Sequence, residues 1–270
     1  MLRLIPQLKE FRYKTILHWI YRFLIRHNYT YRRHTHLGQS LPQESFNLIA
    51  KFVSNYYKSR LSMKYDDDVI VNMDETPLTL NIPPNYVIVK KGKKSVIIRT
   101  QNQEKCRLSV LLTILSNGKK LSPLLIFKGV KDGKLEKELS QNQKVKSGKI
   151  FIAFNINAWY TIEIMKIWNE KILRKYMDSL GYIVQKLLVM DQASMHKTPD
   201  IIKEIDKYDT EIIFFPKDMT RILQPLDVAI NKPFKTLIRK KYADYFFNKN
   251  ISYVKISNNL IISWFRYMMG

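Results

Sequence analysis

The sequence predicts an α/β protein: a mixed β-sheet with flanking helices, preceded by a helical, basic N-terminal segment. Three observations predict it. Short apolar runs of strand length crowd the stretch from residue 69 to 127. From residue 161 onward, helix-spaced and strand-like runs alternate. Apolar residues make up 46% of the 270 and aromatics 12%, enough to build a packed core and to exclude a disordered chain.

The elements follow in order. Residues 14–27 (KTILHWIYRFLIRH) carry Ile16, Leu17, Trp19, Ile20, Phe23 and Leu24 at helical spacing. A basic stretch from Arg26 to His36 follows, containing Arg32 and Arg33, and then a break at Gly38–Pro42. Residues 43–61 read as a second helix with Phe46, Ile49, Phe52, Val53 and Tyr56 on one face. Val69–Met73 has the continuous apolar character of a buried strand that ends at Asp74. Tyr86–Lys90 and Ser95–Arg99 predict a hairpin whose tip carries Lys91, Lys93 and Lys94. A second hairpin joins Leu108–Leu115 to Leu124–Phe127 through Asn117-Gly118. Residues 128–149 are polar and lysine-rich and read as an exposed loop. Helix 161–180, strand 186–190, helix 198–208 opened by Pro199, strand 211–215 and a long helix from Pro225 to about residue 247 complete the pattern. Three meandering strands followed by helix–strand alternation is the layout of a ribonuclease-H-like sheet. The expected organisation is a helical, basic segment over 1–42, a helical linker over 43–64, the α/β domain over 65–248 and a helical tail over 249–270.

Charge and cysteine content narrow the function. There are 46 Lys+Arg against 23 Asp+Glu, a formal charge of +23. Such an excess repels itself unless an anionic partner is near, and nucleic acid is the commonest, because each phosphate contact releases condensed counterions. A ribosomal or membrane-surface protein would show the same number. The one cysteine, Cys106, excludes an internal disulfide and a cysteine zinc cluster, and its alternating apolar surroundings place it in the core. No apolar run reaches the ~18 residues of a membrane helix, so no membrane partner is expected. The N-terminal residues lack the apolar centre and cleavage site of a signal peptide.

Against this basic background three acids stand out. Asp74 follows VIVNM, Asp191 follows KLLVM, and Asp227 lies in LQPLDVAINKPFK at the start of the last helix. A carboxylate beside a buried strand is costly unless it is paired or binds a cation. Two strand ends and one helix start can bring three carboxylates together, and such a site suits Mg²⁺ or Mn²⁺, hard cations that prefer carboxylate and water. Taken singly, an Asp after a strand is most often a turn residue or helix cap. Asp66, Asp67 and Asp68 precede the strand and read as a solvated turn, and alternation turns Glu75 away from Asp74. His196, five residues after Asp191, reads equally as a site or phosphate contact and as a capping or packing residue. Lys91, Lys93, Lys94, Lys217 and Arg221 are candidate phosphate contacts on charge and loop placement, with Arg32 and Arg33 in the basic stretch; singly, each reads better as solvated surface. Trp159 and Trp168 read as core.

At these residues the chain resembles the pogo and centromere-protein-B-related family of DNA transposases. Asp74-Glu75-Thr76-Pro77 is similar to the family's first acidic motif, residues 105–129 to its two-strand segment ending Ile-Phe-Lys-Gly, and MDQASMHK (190–197) to its second motif. Asn157–Tyr160 resembles the family's Gly-Trp segment with Ala158 in place of glycine, and TRILQPLDVAINKPFK (220–235) resembles the most diagnostic motif. The separations are 191 − 74 = 117 and 227 − 191 = 36, the second in the range such elements show. Residues 18–42 resemble the final helix and exit of a helix-turn-helix DNA-binding region, of which only that last part is represented.

The resemblance implies a retroviral-integrase-type ribonuclease-H-like fold and cut-and-paste chemistry on double-stranded DNA. It implies that Asp74, Asp191 and Asp227 hold two Mg²⁺ or Mn²⁺ ions with no other cofactor, and that the protein works in a nucleus. It allows a homodimer. Other readings remain: a domesticated or defective transposase-derived DNA-binding protein without catalysis, and a related nuclease acting on other nucleic acids.

Overall fold

The computed structural model describes residues 13–33, 45–79, 86–92, 107–158, 160–181 and 185–248. Cys106, Trp159, Lys93, Lys94, the expected strand 95–99 and the tail 249–270 lie outside them.

The chain divides into two compact units, one formed by the N-terminal residues with residues 82–101, the other by the rest. In the first, helix α1 (Tyr13–Arg26) leads into strand β1 (Tyr29–Arg33). Asn28, at φ 54°, makes the sharp turn between them; asparagine tolerates this left-handed conformation better than most side chains. The basic stretch after the first helix is therefore a strand, which alternating Tyr29 and Tyr31 could have suggested.

In the second unit, helix α2 (Ser45–Ser62) precedes strand β2 (Ile70–Thr79). Strand β3 (Tyr86–Lys90) returns to the first unit and pairs antiparallel with β1, Tyr29 opposite Lys90 and Arg33 opposite Tyr86. Its partner among the described residues is β1; the expected second hairpin arm lies outside them.

The second unit continues with β4 (Arg107–Leu115) and β5 (Leu124–Lys128), joined at Asn117-Gly118, where Gly118 takes φ 86°. Two short helices follow, α3 (Lys134–Leu139) and α4 (Gln143–Lys146), then strand β6 (Phe151–Asn155). Here the polar-loop expectation is corrected: Leu135 and Leu139, one helical turn apart, are buried. Helix α5 (Ile162–Trp168) is capped by the Thr161 hydroxyl and runs through a π-type turn (Asn169–Arg174) into α6 (Lys175–Asp178). Then come β7 (Lys186–Met190), α7 (Pro199–Asp206), β8 (Thr210–Phe214), the one-turn α8 (Thr220–Leu223), a π-type turn (Leu226–Ile230) and α9 (Asn231–Asn248).

Among the described residues these strands form a six-stranded sheet in the order β6-β5-β4-β2-β7-β8. β5, β4 and β2 are an antiparallel meander; β7 lies parallel to β2, and β8 parallel to β7. This is the ribonuclease-H-like layout, with β6 added in parallel outside β5.

Side chains alternate across the sheet as strand geometry requires. On one face Leu111, Leu124 and Ile126 meet Trp168, Leu173 and Ile205; on the other Val110 and Phe127 meet Leu135, Leu139 and Tyr245 of α9. Trp168 is fully buried, and its indole N–H donates to Thr113 Oγ1 at 2.8 Å. It is core, as its sequence context indicated.

α2 is part of this unit. Phe52 and Tyr56 pack on the first core, Phe52 lying 5.2 Å from the Phe215 ring, and Ser59 donates to Glu211 at 2.6 Å. Its inward face is narrower than the sequence indicated: Phe46 is 84% exposed and Val53 also faces water.

Candidate active site

Two of the three acids are set by strand register. β2 and β7 pair in parallel with Ile70 opposite Leu187 and Asn72 opposite Val189, a constant offset of 189 − 72 = 117. Asp74 and Asp191 are separated by the same 117 residues, so they occupy equivalent positions two residues beyond the last paired one, near enough for the Asp191 charge to act on Asp74. The expectation that Asp74 ends its strand is corrected: β2 continues to Thr79, with Asp74 opposite Leu112 of β4. What ends there is the pairing with β7. Beyond Asn72, β2 pairs with β4 alone among the described residues, and Pro77, which has no N–H to donate, falls in this stretch.

The third acid comes from the opposite side of the sheet's end. Asn72, half of whose amide donates to Val189 O at 2.8 Å, accepts the Leu226 N–H at 3.3 Å through Oδ1. One buried side chain thus ties β2, β7 and the turn that carries Asp227. Asn231, at the start of α9, completes the junction. Its Nδ2 donates to Asp74 Oδ2 at 2.7 Å and to Asp227 Oδ1 at 2.9 Å.

The electrostatics follow from this convergence. Burial pushes the Asp74 carboxyl up to about 6, and the charges of Asp227 and Asp191 push the same way against the Asn231 hydrogen bond. Burial acts on Asp191 too, but His196 and the Ala193 N–H outweigh it and hold its carboxyl below the usual range. His196 Nδ1 is hydrogen-bonded to Asp191 Oδ1, so the ring must carry its proton on that nitrogen. The imidazole is 5% exposed and meets the edge of Tyr160 at 4.9 Å and 83°. His196 is therefore an inward-facing partner of Asp191 rather than a surface phosphate contact, because its ring is enclosed. Burial, with Glu75 and Asp191 nearby, raises the Tyr160 hydroxyl well above its ordinary value, and this hydroxyl donates to Met165 Sδ.

The remaining predicted residues scatter. Lys217 and Arg221 are exposed in the segment after β8, at the same end of the sheet as Asp191, since β7 and β8 run parallel. Arg32 and Arg33 lie on β1 opposite Val87 and Tyr86. Lys91, exposed, follows the other end of that strand pair, where its N–H donates to Asn28 O at 2.7 Å. Asp67 pairs with Arg60 at 2.8 Å and Asp68 with the Asn117 amide, so this acidic run is a surface turn, as expected.

Sequence reading passed over Asn72, Asn231, Tyr160 and Lys235. Lys235 stands one helical turn beyond Asn231, half-buried; burial lowers its pKa while Asp74 and Asp227 oppose the shift. The spacing Asp227, Asn231, Lys235 at four-residue intervals placed all three on one helical face.

The donor set fits a hard divalent cation. It offers carboxylate oxygens on rigid elements, mutually repelling, with the Asp74 charge raised in energy by burial. As the side chains stand, no group of three or more Asp, Glu, His or Cys among the described residues is closed enough to chelate an ion. Asp191 is turned to His196, and its swing toward Asp74 is what would close the set.

A mixed sheet of this strand order, with acids where its central parallel pair separates, defines a ribonuclease-H-like protein. Residues 105–268, more than half of the chain, match the family of DDE superfamily endonucleases, and the chain belongs to that family. The match contains Asp191 and Asp227; Asp74 precedes it. The human "Pogo transposable element with KRAB domain" is 24% identical over 242 residues, 89% of this chain and 38% of that one. "CENP-B homolog protein 2" of Schizosaccharomyces pombe is 24% identical over 212 residues, 74% of this chain and 39% of that one. The chain thus spans under two fifths of the length of these relatives. The pogo and centromere-protein-B relationship read from the motifs is the one these relatives display. Among solved structures, "Mos1 transposase paired-end complex with left transposon end" has a TM-score of 0.49 at 9% identity, covering 93% of this chain and 67% of that one. A Mos1 mariner paired-end complex with Mn has the same score at 11% identity, covering 93% and 68%. The strand order β6-β5-β4-β2-β7-β8 itself defines the fold. No helix among the described residues is long and apolar enough to cross a membrane.

Proposed function

We propose that the protein is a transposase-type DNA endonuclease and strand transferase that uses Asp74, Asp191 and Asp227 to hold two Mg²⁺ or Mn²⁺ ions. The observation that carries this reading is the convergence itself: two aspartates in register on adjacent parallel strands, and a third joined to the first through Asn231. When bound, the ions would supply Lewis-acid activation of the attacking oxygen and stabilisation of the departing 3′-oxygen at a phosphodiester.

The chain's own residues do the rest. Asp74 is fixed by the β2–β4 ladder, and Asp227 by the Asn72–Leu226 and Asn231 bonds. His196 and Tyr160 hold Asp191 apart until it is needed. Lys235, without an ion pair among the described residues, is suited to a phosphate oxygen beside the acids, and Lys217 and Arg221 to the flanking backbone. No covalent protein intermediate is required, so no Ser, Tyr or Cys nucleophile is invoked. The net charge of +23 suits double-stranded DNA, and a nuclear site of action and a homodimeric assembly belong to the same proposal.

The test is cleavage of end-labelled DNA duplex by the purified protein with Mg²⁺ or Mn²⁺, beside Asp191→Asn. The reading expects metal-dependent nicks that disappear in the variant. DNA binding with no metal-dependent cleavage, across varied sequences and salt, would replace it with a non-catalytic DNA-binding protein.

A further inference from the structure

The geometry points to Asn231 as a positioning residue of the cation site: its amide clasps Asp74 and Asp227 so that each carboxylate keeps one oxygen for the ion. This inference rests on the three-aspartate reading above and adds a fourth residue to it.

The clasp is visible in the bonding. One –NH₂ group, with two hydrogens, serves two carboxylates from different elements, at 2.7 Å to Asp74 Oδ2 and 2.9 Å to Asp227 Oδ1. Asn231 touches one oxygen of each acid and leaves the other to different partners, the Gln224 amide lying beside the Asp74 carboxyl. Two carboxylates this close repel, and Asp227 contributes to the raised pKa of Asp74. A neutral double donor between them offsets that repulsion without adding a cation that would compete with the metal. A lysine at this position would neutralise the site, and an aspartate would add a third repelling charge.

The other half of the amide gives an independent indication. Asn231 is 6% exposed, and its Oδ1 is buried with no hydrogen-bond partner among the described residues. An orphaned buried carbonyl is costly, so an asparagine kept here for packing alone would be replaced at a gain by an apolar side chain. Its orientation is dictated by the acids: turned over, it would set Oδ1 against two carboxylate oxygens. Outer partners that orient ligating carboxylates set metal affinity by about 10–100-fold. Asn231 is placed for that role because Asp227 and Asn231 are four residues apart, on one helical face.

The test is Mn²⁺ titration of the full chain, followed by the paramagnetic resonance signal of free Mn²⁺, on wild type, Asp227→Asn, Asn231→Ala and Asn231→Ser. Wild type is expected to bind, and Asp227→Asn to bind more weakly. Asn231→Ala should bind at least about tenfold more weakly than wild type with an unchanged circular dichroism spectrum, and Asn231→Ser, which keeps one donor, in between. Should Asn231→Ala fail to fold, the serine variant decides. Affinity within about twofold of wild type in the folded Asn231 variant, with Asp227→Asn impaired, overturns the Asn231 assignment alone. Equal binding by wild type and Asp227→Asn overturns both it and the three-aspartate reading.

Discussion

β2, where its pairing with β7 stops, and β7, where it ends, carry the same local sequence, an apolar run, a methionine and an aspartate, yet they hold their aspartates in opposite electrostatic states. Asp74 is enclosed by its strand ladder, and its charge is raised in energy to a pKa of about 6. Asp191, one strand over and in register, sits where the chain turns out of the sheet; His196 favours its charge and holds its pKa low. One acid is fixed and electrostatically frustrated, the other satisfied by partners of its own. Identical local grammar thus produces different roles, because the neighbours that decide them come from elsewhere in the chain: Asn231 from α9 for one, His196 and Tyr160 for the other.

The largest expected effect ignores this difference. Asp74→Asn and Asp191→Asn should each reduce metal-dependent DNA cleavage by more than about 10²-fold, the scale of losing one element of charge stabilisation at a reacting centre. A variant at either position that cleaves normally would remove that acid from the site.

Stability should separate the pair in sign. A carboxyl whose folded pKa is raised stabilises the fold below its unfolded pKa near 3.8, and that contribution is lost as pH rises through about 6. Asp74→Asn should therefore stabilise the metal-free protein at pH 7.5 by at most about 3 kcal/mol, seen as a higher melting temperature. Asp191 runs the other way. Its depressed pKa stabilises above the unfolded value and is lost as pH falls through the folded one, so Asp191→Asn should lower the melting temperature at pH 7.5. Thermal melts of both variants in chelator check this; shifts of the same sign would dissolve the comparison.

A smaller effect sharpens it. His196→Ala should remove the hydrogen bond that Asp191 must leave to join the set, tightening Mn²⁺ binding by about tenfold in a Mn²⁺ titration, the scale of one charge-assisted hydrogen bond, with the folded structure retained. The smallest expected effect concerns the approach to this region. Ala158 is buried at φ 53°, a conformation that glycine adopts without strain. Ala158→Gly should stabilise the protein by about 0.5–1 kcal/mol in denaturant unfolding, the reverse of the usual glycine penalty.

Much of this architecture could be read from sequence because its signals are local. The apolar runs at 69–73, 108–115, 124–127 and 186–190 became strands of the one sheet, and Trp168 fell in the core, where its sequence context put it. β1 was hidden by its arginines, and β6 by its short length next to a lysine-rich run. The two buried leucines of α3 made too brief a pattern to stand out from their polar neighbours. The convergence of Asp74 with Asp227 and the parting of β2 from β7 at Asn72 depend on tertiary register, to which propensity is blind. The constant offset of 117 is the exception: it was present in the numbering and gained meaning only once the strands were seen to be parallel. Asn72 and Asn231 went unnoticed because asparagine carries no charge, although both stand where the acids are fixed in place.

The most direct test of the central claim is the anomalous-scattering map of crystals grown with Mn²⁺. Mn²⁺ is expected within coordination distance of Asp74 and Asp227, with Asp191 swung away from His196 to complete the set. Crystals saturated with Mn²⁺ that show no anomalous peak between these three aspartates, and Asp191 still on His196, would contradict it.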